Sequence, residues 1–218
     1  MANIDSEAYL SKVISGVDPK DTTQFYNNNP DTYESAMADV QYFGPKKLME
    51  FFDRINLPKE AKILDVCAGT GGIGRELAKL GYADLHAIDG AEGMLAKAKE
   101  ENNYKSYTHL LFTPESKLPY ADNEFDCLLA AGIFAPGHLP ICAMHEFARV
   151  VKPGGVIAWI CCDPKCYETK DKQYENGGFQ KLVDEIAAKG QWKQREGFPI
   201  PVPYINYSDG FVMAFDVL

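Results

Sequence analysis

From Lys46 onward the apolar residues of this chain follow two alternating rhythms. Leu48, Phe51, Phe52 and Ile55 recur at three, four and seven positions, the spacing of one helical face, and Pro58 closes the segment. Beyond it, segments 62–66, 73–80, 84–88, 93–101, 110–112, 126–131, 140–151 and 156–162 read in turn as strand and helix. Ile63-Leu64-Asp65-Val66 and Val156-Ile157-Ala158-Trp159-Ile160 are nearly continuous in apolar residues, as strands buried on both faces are. The alternation predicts an α/β fold, Rossmann-like and doubly wound, with a mostly parallel sheet covered by helices on both faces. Phe179, Leu182, Val183, Ile186 and Ala187 predict a last helix closed by Lys189-Gly190. A Pro-rich stretch at 199–203 then leads to 211–218, whose apolar residues suit a final strand. Residues 1–45 are polar and interrupted by Pro19, Pro30 and Pro45, with helical stretches at 6–15 and 31–39. They read as an N-terminal extension or lid ahead of a domain at 46–218.

Composition narrows the setting. With 218 residues, 46% of them apolar, the chain is long enough for one domain with a sizeable core. The net charge of -9 argues against a nucleic-acid partner, because phosphate binding wants a basic face. Met1-Ala2-Asn3-Ile4-Asp5-Ser6-Glu7 lacks a basic segment followed by an apolar one, and no run is long enough to span a bilayer, so no membrane association and a cytoplasmic location are expected. Of the six cysteines, Cys127, Cys142, Cys161 and Cys162 lie inside apolar segments, where a reduced thiol acts as a small hydrophobe. Cys161, Cys162 and Cys166 have no second pair at zinc spacing, so no metal is expected. No residue pattern bears on the oligomeric state.

The chemistry concentrates in Ile63-Leu64-Asp65-Val66-Cys67-Ala68-Gly69-Thr70-Gly71-Gly72-Ile73-Gly74, a buried strand running into glycines and then a helix. Glycines at such a turn let a ligand lie against main chain, and the helix that follows offers free N–H groups and the positive end of its dipole. A nucleotide-like ligand is the usual occupant. Gly69-Thr70-Gly71-Gly72-Ile73-Gly74 also matches the dinucleotide pattern Gly-x-Gly-x-x-Gly, which keeps an NAD-dependent oxidoreductase as a rival reading. Asp65, four residues before the first glycine, turns the balance, because a carboxylate there suits a cationic amino-acid ligand better than a diphosphate. Asp89 closes the next strand, where its two oxygens can accept both hydroxyls of a ribose. The plainer readings are a loop-ordering carboxylate for Asp65 and a helix N-cap for Asp89.

Asp65-x-x-x-Gly69-x-Gly71, then Asp89, then Arg149-Val150-Val151-Lys152-Pro153-Gly154-Gly155 resemble, in this order, the motifs of the class I S-adenosylmethionine-dependent methyltransferases. The resemblance covers about residues 46–162 and implies a seven-stranded sheet whose last strand is antiparallel, with S-adenosylmethionine as the cofactor. It implies Asp65, Gly69 and Gly71 at the methionine end, Asp89 on the ribose, and Gly90 with Met94 beside the adenosine. Met94 reads equally well as core. In the family the third strand leads to an acidic residue that meets the adenine amino group; here Glu115 stands at a shifted position. Cys67 departs from the glycine of many members and narrows the room beside the methionine. Tyr26-Asn27-Asn28-Asn29-Pro30-Asp31-Thr32-Tyr33-Glu34, Tyr42-Phe43-Gly44-Pro45 and Ala131-Gly132-Ile133-Phe134-Ala135-Pro136-Gly137-His138-Leu139-Pro140 are similar to segments of the Williams-Beuren syndrome region methyltransferase-like family. That family usually carries Trp-Ala where this chain has Asn29-Pro30. Gly132, in the last segment, is placed with the cofactor residues.

Methyl transfer from a sulfonium is an in-line displacement, so the protein contributes chiefly by holding the reactants aligned and dry. A base is needed only if the acceptor must lose a proton, and His138, after the fourth strand, is the candidate. Its other reading is a helix cap or loop packing. Tyr26 and Tyr33, seven residues apart, can turn two rings toward the open end of the sheet and contact the sulfonium, or simply fasten the extension to the core. Phe134 and Tyr167 are further acceptor-pocket candidates. The reading is therefore a methyltransferase acting on a small-molecule acceptor, with a non-catalytic S-adenosylmethionine sensor as the other alternative.

Overall fold

Prolines begin helices here. The computed structural model describes residues 8, 9, 11, 12, 18–205 and 208–218. Helices α1 (Pro19–Asn28), α2 (Pro30–Asp39) and α3 (Gly44–Met49) each carry proline in the first turn. Proline lacks an N–H that a first turn leaves unpaired in any case, and its φ is already helical. The prolines that read as interruptions are thus start signals, and α1 is a helix the apolar pattern does not announce. The helix foreseen at 31–39 is α2, while the stretch at 6–15 lies largely outside the described residues. The single helix foreseen from Lys46 is split: α3 ends at Met49 and a 3-10 turn spans Phe52–Arg54. Side chains three apart eclipse in a 3-10 turn, so Phe52 and Ile55 still bury together and the apolar periodicity survives the break.

Strands β1 (Ile63–Val66), β2 (Leu85–Asp89), β3 (Ser106–His109), β4 (Phe125–Ala131) and β5 (Val151–Cys162) are parallel, in the order β3-β2-β1-β4-β5. Beside β5 runs the antiparallel β8 (Ser208–Val217), and along the far edge of β8 lie β6 (Trp192–Gln194) and β7 (Ile200–Ile205). Because β6 pairs with the end of β8 and β7 with its beginning, the eight strands fill seven lanes. The strand foreseen at 110–112 lies instead at Ser106–His109. This edge strand is half-exposed and polar, which leaves it little hydrophobic signal, whereas Leu110–Phe112 run past the sheet toward the pocket described below.

Alternate residues of each central strand feed two apolar layers. Leu64, Val66, Leu128, Ala130, Ile157 and Trp159 face one side, where α6 (Ala143–Val150) and α7 (Gly178–Ala188) bury Phe147, Val150, Phe179 and Ile186. Ile63, Cys127, Leu129, Ala158 and Ile160 face the other, covered by α3, α4 (Gly72–Lys79) and α5 (Glu92–Glu101) through Leu48, Ile73, Leu77 and Leu95. The chain turns from one half of the sheet to the other between β1 and β4. That switch point opens a crevice at the carboxyl ends of the strands, where ligands of such sheets bind.

Candidate active site at the switch point

After Val66 the main chain passes through Cys67 (φ 57°), Gly69 (φ 55°) and Gly71 (φ 89°), the last serving as N-cap of α4. Glycine adopts this left-handed backbone freely; Cys67 holds it at a cost of about 1 kcal/mol. Around this turn lie two pockets that share Tyr33, Cys67, Gly69 and Ala131 as walls. Asp89 lines one arm and Asp65 the other. The bend between them places a carboxylate at either end of one elongated cleft.

Asp65 is 1% exposed. Tyr104 donates its hydroxyl hydrogen to Oδ2 at 2.5 Å and accepts the Gly74 N–H at 2.9 Å, while Oδ1 is buried without a hydrogen-bond partner among the described residues. A Cβ on Gly74 would collide with the Tyr104 ring. The third glycine of the Gly-x-Gly-x-x-Gly match therefore makes room for a tyrosine that holds Asp65. Burial pushes the Asp65 carboxyl up to about 7, against the opposing pull of the Tyr104 hydrogen bond. An orphaned oxygen on a buried carboxyl facing a pocket suits a cationic group such as an α-ammonium.

Asp89 accepts the Gly69 N–H at Oδ2 and the Ala91 N–H at Oδ1, both at 2.8 Å. Its oxygens thus tie the glycine turn to the start of α5 and keep further lone pairs for a ligand. Burial raises its carboxyl as well, though the Ala91 and Gly69 N–H groups counter the shift. Gly90 and Met94 line the same arm with Leu110, Leu111 and Phe112; Met94 is both buried and part of the wall. Glu115 is not brought to the cleft: it is exposed and accepts from Thr113 Oγ1 at 3.0 Å. Gly71 shapes the turn without lining either arm.

Over the cleft, α1 and α2 bring Tyr26 and Tyr33 edge to face, 5.9 Å between ring centroids. Tyr26 meets His138, whose Nε2 lies 2.9 Å from the phenol oxygen; His138 Nδ1 is 3.0 Å from the Pro136 carbonyl oxygen. Burial lowers the imidazole's affinity for a proton. Gly132 and His138 line the arm that holds Asp89. Phe134 and Tyr167 do not form an acceptor pocket. Phe134 is 1% exposed and packs edge-on against Trp159 at 5.4 Å, and Tyr167 is buried against Tyr174. Three residues escape a reading of the sequence. Tyr104 has no local signal, and Thr22 and Thr23 of α1 line the Asp89 arm, Thr22 with its hydroxyl buried and unpaired among the described residues. Among those residues no group of His, Cys, Asp and Glu is disposed to hold a metal ion.

Residues 63–155 match the family model described as a methyltransferase domain. The chain is 28% identical over 178 residues to methyltransferase-like protein 27 of Homo sapiens, covering 81% of this chain and 70% of that protein. It is 34% identical over 132 residues to a demethylmenaquinone methyltransferase of Bacillus licheniformis, covering 59% of this chain and 52% of that one. The chain thus spans about half the length of that bacterial relative. Among solved structures, a TehB-like SAM-dependent methyltransferase from Corynebacterium glutamicum superposes with a TM-score of 0.59 at 18% identity, covering 87% of this chain and 98% of that one. Residues 63–155 thus resemble a methyltransferase domain, and the chain folds as the solved S-adenosylmethionine-dependent methyltransferases do.

Proposed function

We propose that this protein transfers a methyl group from S-adenosylmethionine to a small-molecule acceptor. The observation that carries the reading is the bent cleft with the unpartnered Oδ1 of Asp65 in one arm and Asp89 in the other. Asp65 would hold the cationic amino-acid end, Asp89 the ribose, and Gly90 with Met94 the adenosine. Tyr33, Cys67, Gly69 and Ala131, common to both arms, would flank the sulfonium. When bound, the cofactor supplies a methyl group on sulfur, open to in-line displacement. The chain's own part is to orient the acceptor along that line and exclude water, a task for α1 and α2, whose Tyr26 and Tyr33 line the cleft. A small acceptor is supported by the demethylmenaquinone methyltransferase relative, whose name states such a substrate. Closeness to the Williams-Beuren syndrome region methyltransferase-like family is supported by the segments around Tyr26, Tyr42 and His138. Six free cysteines support work in a reducing compartment such as the cytoplasm.

Calorimetry with S-adenosylmethionine and with NAD tests the reading. S-adenosylmethionine should bind and NAD should not, because Asp65 repels a diphosphate and Gly74 serves Tyr104. Asp89→Ala should weaken cofactor binding by about 2 to 4 kcal/mol through lost ribose hydrogen bonds. Unchanged affinity would remove Asp89 from the site. Tight binding without methyl transfer across acceptor libraries would mark a sensor instead of an enzyme.

A further inference from the structure

We propose that Tyr26 takes the proton from the methyl acceptor and that His138 works through it, so that the acceptor is a molecule with a phenolic or enolic hydroxyl. The inference rests on the methyltransferase reading above and names the acceptor chemistry of that site. Its starting point is the pairing of one side chain from α1 with one from the loop after β4. The Pro136 carbonyl oxygen can only accept, so the His138 nitrogen 3.0 Å from it, Nδ1, carries the hydrogen. In the neutral ring Nε2 then presents a lone pair, and the Tyr26 hydroxyl 2.9 Å away donates to it. With its own hydrogen committed to the imidazole, the Tyr26 oxygen has only lone pairs left for the pocket. It can accept a hydrogen bond from a ligand and cannot donate one.

Both residues line the Asp89 arm where it meets the walls common to both arms: the Tyr26 ring stands 5.9 Å from that of Tyr33, beside the position assigned to the sulfonium. Burial raises the Tyr26 phenol well above its usual range and lowers the His138 imidazole, so the pair stays neutral until a proton is delivered. During transfer the acceptor's O–H bond breaks and its oxygen bonds the methyl carbon. The sulfur–methyl bond breaks with its electron pair staying on sulfur, the acceptor's proton passes to Tyr26 oxygen, and Tyr26's own proton passes to His138 Nε2. One positive charge moves from sulfur to imidazole, and none is created in a buried site. The imidazolium afterwards releases its proton to water. An amine already carries a free lone pair and has no use for this relay before it attacks. A phenol or enol becomes a strong nucleophile only as its proton leaves.

Two measurements decide it. In ¹⁵N spectra of histidine-labelled protein, His138 should be the Nδ1–H tautomer with a hydrogen-bonded Nε2, and Tyr26→Phe should shift the Nε2 resonance. An Nε2–H tautomer, or a resonance indifferent to Tyr26→Phe, overturns the pairing. With labelled S-adenosylmethionine, 1-naphthol and 4-nitrophenol should be methylated in preference to 1-naphthylamine and 4-nitroaniline. Tyr26→Phe and His138→Asn should each lower kcat on the phenols by about 100-fold, the contribution usual for a positioned proton acceptor. Added imidazole should restore His138→Ala. Full kcat in Tyr26→Phe, or anilines preferred, overturns the proposal. Phenols left unmethylated by protein that binds S-adenosylmethionine sink the acceptor class alone, whereas failure to bind S-adenosylmethionine sinks the reading it rests on.

Discussion

A buried carboxyl with one oxygen satisfied and the other orphaned is costly to charge, and Asp65 is such a group. Its proton affinity is raised from 3.8 to about 7, chiefly by burial. Folding therefore favours the protonated form: the stabilisation is full below about pH 4 and is lost as the pH rises toward 7, a swing on the order of 4 kcal/mol. A bound α-ammonium reverses the preference, since it gives the ionised carboxyl a partner. Cofactor affinity should therefore fall about tenfold per pH unit below pH 7, with proton release on binding. Burial raises Asp89 too, which adds in the same direction. Calorimetry in buffers of different ionisation enthalpy from about pH 5 to pH 8 checks this, and Asp65→Asn should flatten the profile. An affinity constant across that range would mean that Asp65 meets no cation. Asp65 and Asp89 are legible in the sequence because one interrupts an apolar run just ahead of the glycines and the other closes the next run; Tyr104 is not, because its partners Asp65 and Gly74 lie 39 and 30 residues away.

Elements differ in how firmly they are held. The central strands have apolar layers on both faces, whereas α1 and α2 are tied to α4 and α5 by polar contacts. Asn27 Oδ1 accepts the Gly93 N–H at 2.7 Å, Asp31 meets Lys97 at 2.8 Å, and Glu34 meets Arg75 at 2.6 Å and the Thr70 hydroxyl at 2.8 Å. Partly exposed ion pairs of this kind contribute about 0 to 1 kcal/mol each. Amides of 19–39 should therefore exchange with deuterium faster than those of β1, β4 and β5, and slow when S-adenosylmethionine is added. Glu34→Gln should quicken that exchange and the release of cofactor. Protection of 19–39 equal to that of the central strands would show a fixed wall in place of a lid. The same contrast explains which elements the sequence displays. Strands buried on both faces write themselves as apolar runs. The polar edge strand β3 and the proline-started α1 are held by neighbours far along the chain.

Across the whole molecule the binding cleft and the heaviest packing lie apart. Trp192 stacks on Phe215 at 4.4 Å, Phe215 on Trp159 at 4.9 Å, and the Trp192 indole donates to the Val183 carbonyl of α7 at 3.1 Å. This stack binds β6, β8 and β5 to one another and to α7. In the order β1-β4-β5-β8-β6, Trp192 stands four lanes from β1, about 19 Å at the usual strand spacing. Trp192→Ala would leave a cavity and remove the indole's hydrogen bond to α7, costing about 3 to 5 kcal/mol. In a domain of this size that lowers Tm by roughly 6 to 20 °C. The cleft rests on the β1 turn, Asp89 and Tyr104, none of which touches the stack, so changes at the two places should add independently. Urea titration should find a lower midpoint with an unchanged slope, and calorimetry on the folded variant should find wild-type cofactor affinity. A loss of affinity in step with stability would mean that the far half of the sheet holds the cleft in shape, and that the β1 turn alone does not define it.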